Sequence, residues 1–69
     1  MEIKWADGFA IRVSAEDNTA VISANGQGLL SLAWMLLDLA GEAPGAHIHL
    51  DAYNSLEEGS ADLILEKTN

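Results

Sequence analysis

Large apolar residues fall at every second position early in the chain. Phe9, Ile11 and Val13 alternate with Ala10, Arg12 and Ser14, a period of two that predicts a strand with one apolar face. The polar run Glu16-Asp17-Asn18 turns the chain into a second strand over 19–24, where Ala20, Ile22 and Ala24 oppose Val21 and Ser23. Asp7-Gly8 is a further hairpin signal, because both residue types tolerate positive φ. It predicts a short leading strand around Ile3 to Trp5. The pattern then changes. After the break Asn25-Gly26-Gln27-Gly28, good helix formers run to about Ala40, and Gly41, Pro44 and Gly45 supply the stop. Within that helix Gln27, Ser31, Asp38 and Glu42 form one narrow polar stripe, interrupted by Met35. Two more alternating strands follow, 47–53 and 61–67, joined through 54–60.

Hairpin, helix, hairpin is the order this predicts, an α+β fold of the form (β)ββ-α-ββ. One antiparallel sheet of four to five strands, with the helix packed on one face, accommodates these periods. The helix-covered face carries Phe9, Ile11, Val13, Ile22, Ile48, Leu50, Leu63 and Leu65. The open face carries Arg12, Ser14, Ser23, His47, His49, Asp51, Tyr53 and Ile64.

Sixty-nine residues allow a single domain, 1–69. Size scaling gives a folded monomer of about 4,200 Å² that buries roughly 60% of its unfolded surface. Such a core is thin, and the helix carries more leucine than one sheet face covers, since an apolar stripe of about 100° suffices for burial. A homodimer is therefore expected, using the helix flank or the open sheet face, with Trp34 as an anchor. Met1-Glu2-Ile3-Lys4 lacks a basic region followed by an apolar one, so no secretory signal is expected. The longest apolar stretch, 29–40, is interrupted by Ser31 and Asp38 and falls short of the roughly twenty residues a membrane span needs. The expected location is the cytoplasm.

Charge narrows the partners. Eleven Asp and Glu stand against Lys4, Arg12 and Lys67, for a formal net charge of −8. Nucleic acid and anionic membranes repel such a chain, and a basic protein is its natural counterpart. The absence of cysteine excludes disulfide scaffolds, thiolate metal sites and thiol nucleophiles.

Three motifs carry candidate chemistry. Gly26-Gln27-Gly28-Leu29-Leu30-Ser31 sits where a dinucleotide fingerprint would, but Ser31 replaces the third glycine and no parallel crossover follows; it reads as a turn with Gly28 near the helix start. His47-Ile48-His49-Leu50-Asp51 places two imidazoles and a carboxylate on one strand face about 6.6 Å apart. That face reads as a solvated or partner-contacting surface, or as a divalent-metal site through His47, His49 and Asp51, although no third histidine or thiol completes a ligand set. Glu57-Glu58 at a hairpin tip, with Asp51 and Asp62, concentrates negative charge where a basic partner can be steered in. No nucleophile elbow is present, so an enzyme is not expected, and no cofactor is implied.

The segment from His47 through Asp51, Tyr53, Asn54, Ser55, Glu57, Glu58 and Ser60, running on through Asp62 to Lys67, resembles the signature of the immunity protein 32 family. The resemblance implies a small bacterial, non-enzymatic protein that binds a cognate toxin and protects the producing cell. Many toxins of such systems attack nucleic acid and carry basic clefts, which an acidic protein fills by charge complementarity. The contact candidates are His47, His49, Asp51, Tyr53, Asn54, Glu57, Glu58 and Asp62. The alternative is a protein-binding, oligomerisation or regulatory module without toxin neutralisation.

Overall fold

The computed structural model describes residues 2–69 and contains one helix and two small antiparallel sheets. Strands β1 (Ile11–Glu16) and β2 (Thr19–Ala24) form the first sheet, helix α1 spans Gly26–Ala40, and β3 (His47–Leu50) pairs with β4 (Leu63–Glu66) in the second. Asp17 and Asn18 both have positive φ, the conformation of a two-residue type I′ turn, and that fixes the register Glu16↔Thr19 through Ile11↔Ala24. In the second sheet His47 lies opposite Glu66, and His49 opposite Ile64.

The single four- to five-stranded sheet expected from the alternation is replaced by these two hairpins. The reason lies at the outer edge of β1. Ile11 O accepts from Glu57 N at 2.8 Å and Val13 O from Ala61 N at 2.8 Å, but the chain between those two donors is a turn with Gly59 at φ 87°. The amide of Val13 finds the hydroxyl of Ser60 instead of a strand carbonyl. An irregular segment thus occupies the outer edge of β1, and no strand of the second hairpin pairs there.

The leading strand at Ile3 to Trp5 is also absent. The amide of Ala6 donates to Ser31 Oγ on the helix, and the Asp7-Gly8 turn closes with Phe9 N donating to Ala6 O. Trp5 and Phe9 stack across that turn, ring centroids 4.4 Å apart. Strand 47–53 ends early at Leu50 because Asp51 opens a turn, and strand 61–67 is trimmed to Leu63–Glu66. The backbone of Lys67 continues that ladder, pairing with Gly45 and Ala46.

The core comprises Ile11, Val13, Leu32, Met35, Ile48, Leu50 and Leu56, with Ile3, Trp5, Phe9, Ala24, Ala61, Leu63 and Leu65 packed around it. Ile22, expected inside, is 43% exposed, because β2 is the outer strand of its hairpin. The helix buries Gly28, Ser31, Leu32, Met35 and Leu39. The expected polar stripe is therefore wrong at Ser31, which faces inward beside Met35, the residue that interrupts the stripe. Ser31 is tolerated there because it accepts from Ala6 N and donates to Gln27 O, each at 2.8 Å, so neither hydroxyl role is orphaned.

Close helix approach is set by Gly28, where a Cβ would stand 2.6 Å from Ala10 O and 2.9 Å from Ile11 Cγ1. Asn25 caps the helix and ties three segments together. Its Oδ1 accepts from Gly28 N and Ala10 N, and its Nδ2 donates to Gly8 O. Gly26-Gln27-Gly28 is thus a packing and capping element, with no parallel strand behind it. At the other end Lys67 Nζ reaches Ala40 O at 2.7 Å and Glu42 O at 3.0 Å, supplying the cation that the helix's own last turn lacks.

Candidate partner-binding surface

The segment from His47 to Asp62 holds the eight contact candidates, and the structure divides them into three groups. On the outer face of the second hairpin His47, His49, Ile64 and Glu66 stand together, because alternate residues of β3 and their β4 partners share one side. Ile48 and Leu50 take the opposite side and are buried, which fixes the histidines outward. His49 Nε2 lies 3.2 Å from Asp62 Oδ2, with the two side chains 48% and 64% exposed. His47 Nδ1 lies 3.3 Å from Gly45 O.

Asp51 does not join them. Its carboxylate Oδ1 accepts from the amides of Tyr53 and Asn54, and its carbonyl from Asn54, Ser55 and Leu56. Asn54 closes the same turn from the other side, accepting from Asp51 N and donating to His49 O, with Ser55 Oγ on its Oδ1. These are the bonds of an Asx turn, which competes with strand continuation. Leu56, 5% exposed, pins the turn to the core. The carboxylate expected beside the histidines is engaged in this turn, and the partner His49 meets is Asp62, thirteen residues on. Among the described residues no group of three or more His, Asp or Glu is placed to hold a metal ion. Tyr53 stands at the turn tip with its side chain fully exposed.

Glu57 and Glu58 form the third group. Both are exposed, and their backbone, rather than their carboxylates, is held: Glu57 N by Ile11 O and Glu58 O by Arg12 Nη1 at 3.1 Å. Arg12 was legible only as an open-face residue; the sequence gives no signal that it braces this loop across forty-six positions. The Asp51–Asn54 clamp, by contrast, has a local signature in the D-x-x-N spacing.

The three cations share one habit. Arg12 and Lys67 donate to carbonyl oxygens, and Lys4 Nζ lies 5.7 Å from the centre of the Trp34 ring. The one ion pair among the described residues is His49 with Asp62. Lysine and arginine therefore leave the carboxylates without direct partners, and the negative field faces solvent. The hollows are shallow. One of about 370 Å³ lies open at the first hairpin turn between Ala15 and Ala20. No helix among the described residues is long and apolar enough to cross a membrane.

Architecture and surface together define a small acidic α+β protein that displays its polar chemistry on exposed faces. The chain belongs to the immunity protein 32 family, whose model matches residues 19–68 and so takes in β2, α1, β3 and β4. The match reaches well upstream of the His47–Lys67 segment that carried the resemblance. Immunity proteins of this kind are generally non-enzymatic. No curated protein and no solved structure matches the chain.

Proposed function

We propose that this chain is a cytoplasmic, non-enzymatic inhibitor that binds a cognate basic protein toxin and keeps it from its substrate. Membership of an immunity protein family supports this reading. So does the observation that carries its physics: a net charge of −8 whose carboxylates have no lysine or arginine partner among the described residues. Unpaired surface carboxylates hold their charge available for a basic cleft, where opposed potentials accelerate encounter and orient docking. The contact surface under this proposal is the outer face of the second hairpin with the loop beside it. His47 and His49 supply ring edges, Tyr53 an exposed aromatic, and Asp62, Glu57 and Glu58 the charge. Asp51 and Asn54 act one step back, by holding the turn that presents Tyr53.

The test is protection. The gene neighbourhood is searched for a toxin domain, which is expressed in a susceptible host with and without the chain, and the two proteins are titrated by calorimetry. Restored growth with a one-to-one complex is the expected result. Unrelieved toxicity with no heat of binding would overturn the reading and leave the alternative of a protein-binding module.

A further inference from the structure

Helix α1 has two apolar faces. One is buried on the hairpins; the other, formed by Leu29, Leu30, Ala33, Leu36, Leu37 and Ala40, is open, with Leu37 72% exposed and Leu29 55%. In a protein with eleven acidic residues this face carries none. The N-terminal segment covers the other flank, where Lys4 lies over half-buried Trp34, so Trp34 is not the anchor of the open face.

We infer that this face is occupied by the same face of a second copy of the chain, the two helices packing antiparallel about a two-fold axis. The order of sizes along the seam is what selects the occupant. Leu30, Ala33, Leu37 and Ala40 follow the three-four-three spacing of a coiled-coil seam and alternate large with small. Read backwards, that order is its own complement. With the axis at the level of position 35, Leu30 meets Ala40 of the second copy and Leu37 meets Ala33, so each leucine enters the gap an alanine leaves. A parallel pairing would set leucine on leucine and alanine on alanine.

Area and charge agree. The chain exposes 4,715 Å², about 500 Å² more than the roughly 4,200 Å² that scaling assigns to a monomer of this mass. Covering about that much surface on each of two copies would bury about 1,000 Å² in all, the lower bound of a specific interface. A basic partner finds no charge to meet here, whereas a second uncharged seam loses nothing by desolvation. The two molecules still repel at long range, so the dimer tightens as salt rises. Association with a basic partner has the opposite dependence, which separates this inference from the proposed function.

Sedimentation equilibrium from about 1 to 300 µM, at low and high salt, tests it. The expected result is a monomer–dimer equilibrium in the micromolar range that strengthens with salt and weakens at least tenfold in Leu37→Asp. Because Leu37 is mostly exposed, that variant should keep the parent's circular dichroism, and its melting temperature should match the parent's at concentrations where both are monomeric. The chain has no cysteine, so Ala33→Cys and Leu37→Cys chains can be mixed and oxidised; the mixed 33–37 disulfide should dominate over 33–33 and 37–37. Any of three results overturns the inference: a mass near 7.3 kDa at every concentration, a dimer that survives Leu37→Asp, or 33–33 cross-links in excess. A dimer that survives Leu37→Asp but is lost in Ile22→Pro would lie instead on the outer edge of β2.

Discussion

The amide of Ala6 donates to the buried hydroxyl of Ser31 at 2.8 Å, joining the N-terminal segment to the middle of the helix across twenty-five residues. Ser31 is completely buried and in turn donates to Gln27 O. Replacing it with alanine takes away the acceptor of the Ala6 amide. Ser31→Ala should cost about 1–3 kcal/mol, more than its small volume suggests. Urea unfolding checks this, and hydrogen exchange should speed up at Ala6. An unchanged midpoint would mean that water replaces the hydroxyl.

Gly28 sets how near the helix comes to β1. A methyl group placed 2.6 Å from Ala10 O forces the first helical turn outward, against the backbone and not against a flexible side chain. Gly28→Ala should destabilise by about 1–3 kcal/mol, although alanine is the better helix former. Gly26→Ala is the control. Nothing lies within 4 Å of a Cβ there, and its stability should be unchanged or slightly higher.

Lys67 places its ammonium on the carbonyls of Ala40 and Glu42 at the end of the helix. Lys67→Met keeps most of the aliphatic stem and removes the charge, so a loss of about 1 kcal/mol is expected from the lost carbonyl bonds and dipole contact. Thermal melts at two salt concentrations would report it, with the parent–variant gap narrowing as salt rises.

If a basic toxin docks at the acidic loop, Glu57→Lys with Glu58→Lys should lower the association rate by tenfold or more at low salt. The effect on dissociation should be smaller. The loop itself should persist, because Glu57 N and Glu58 O are held through the backbone. Stopped-flow mixing at several ionic strengths reads both rates. Association that is indifferent to salt would place the interface elsewhere.

Tyr53 makes no tertiary contact that its full exposure would allow to matter for stability. Tyr53→Ala should therefore shift the unfolding free energy by less than about 0.5 kcal/mol. On the proposed docking surface the same change should raise the toxin's dissociation rate, since exposed aromatics are frequent interface anchors. A variant that alters stability but not dissociation would give the ring a structural role.

Much of this protein was determined locally and could be read from the chain. The period-two runs that begin at Phe9, Thr19 and His47, the polar turn at Glu16-Asp17-Asn18 and the leucine-rich helix running to Ala40 all follow from side-chain spacing and turn chemistry. The exact ends of β1, α1 and β3 do not. The surplus of apolar positions on α1, the outward histidines and the exposed acidic loop were legible for the same reason: local periodicity decides which residues share a face. Which face meets what was decided only in three dimensions. Ser31 turned inward because a backbone amide from the N-terminal segment satisfies its hydroxyl, a partner no local pattern names. The sheet divided because the turn at Gly59 and the hydroxyl of Ser60 took the edge of β1. Asp51 left the strand for the turn, and Asp62 came to His49 instead. Each of these is a hydrogen bond between residues far apart in the chain, or a choice between competing partners. Spacing proposes the donors and acceptors, but only the packed structure assigns them to one another.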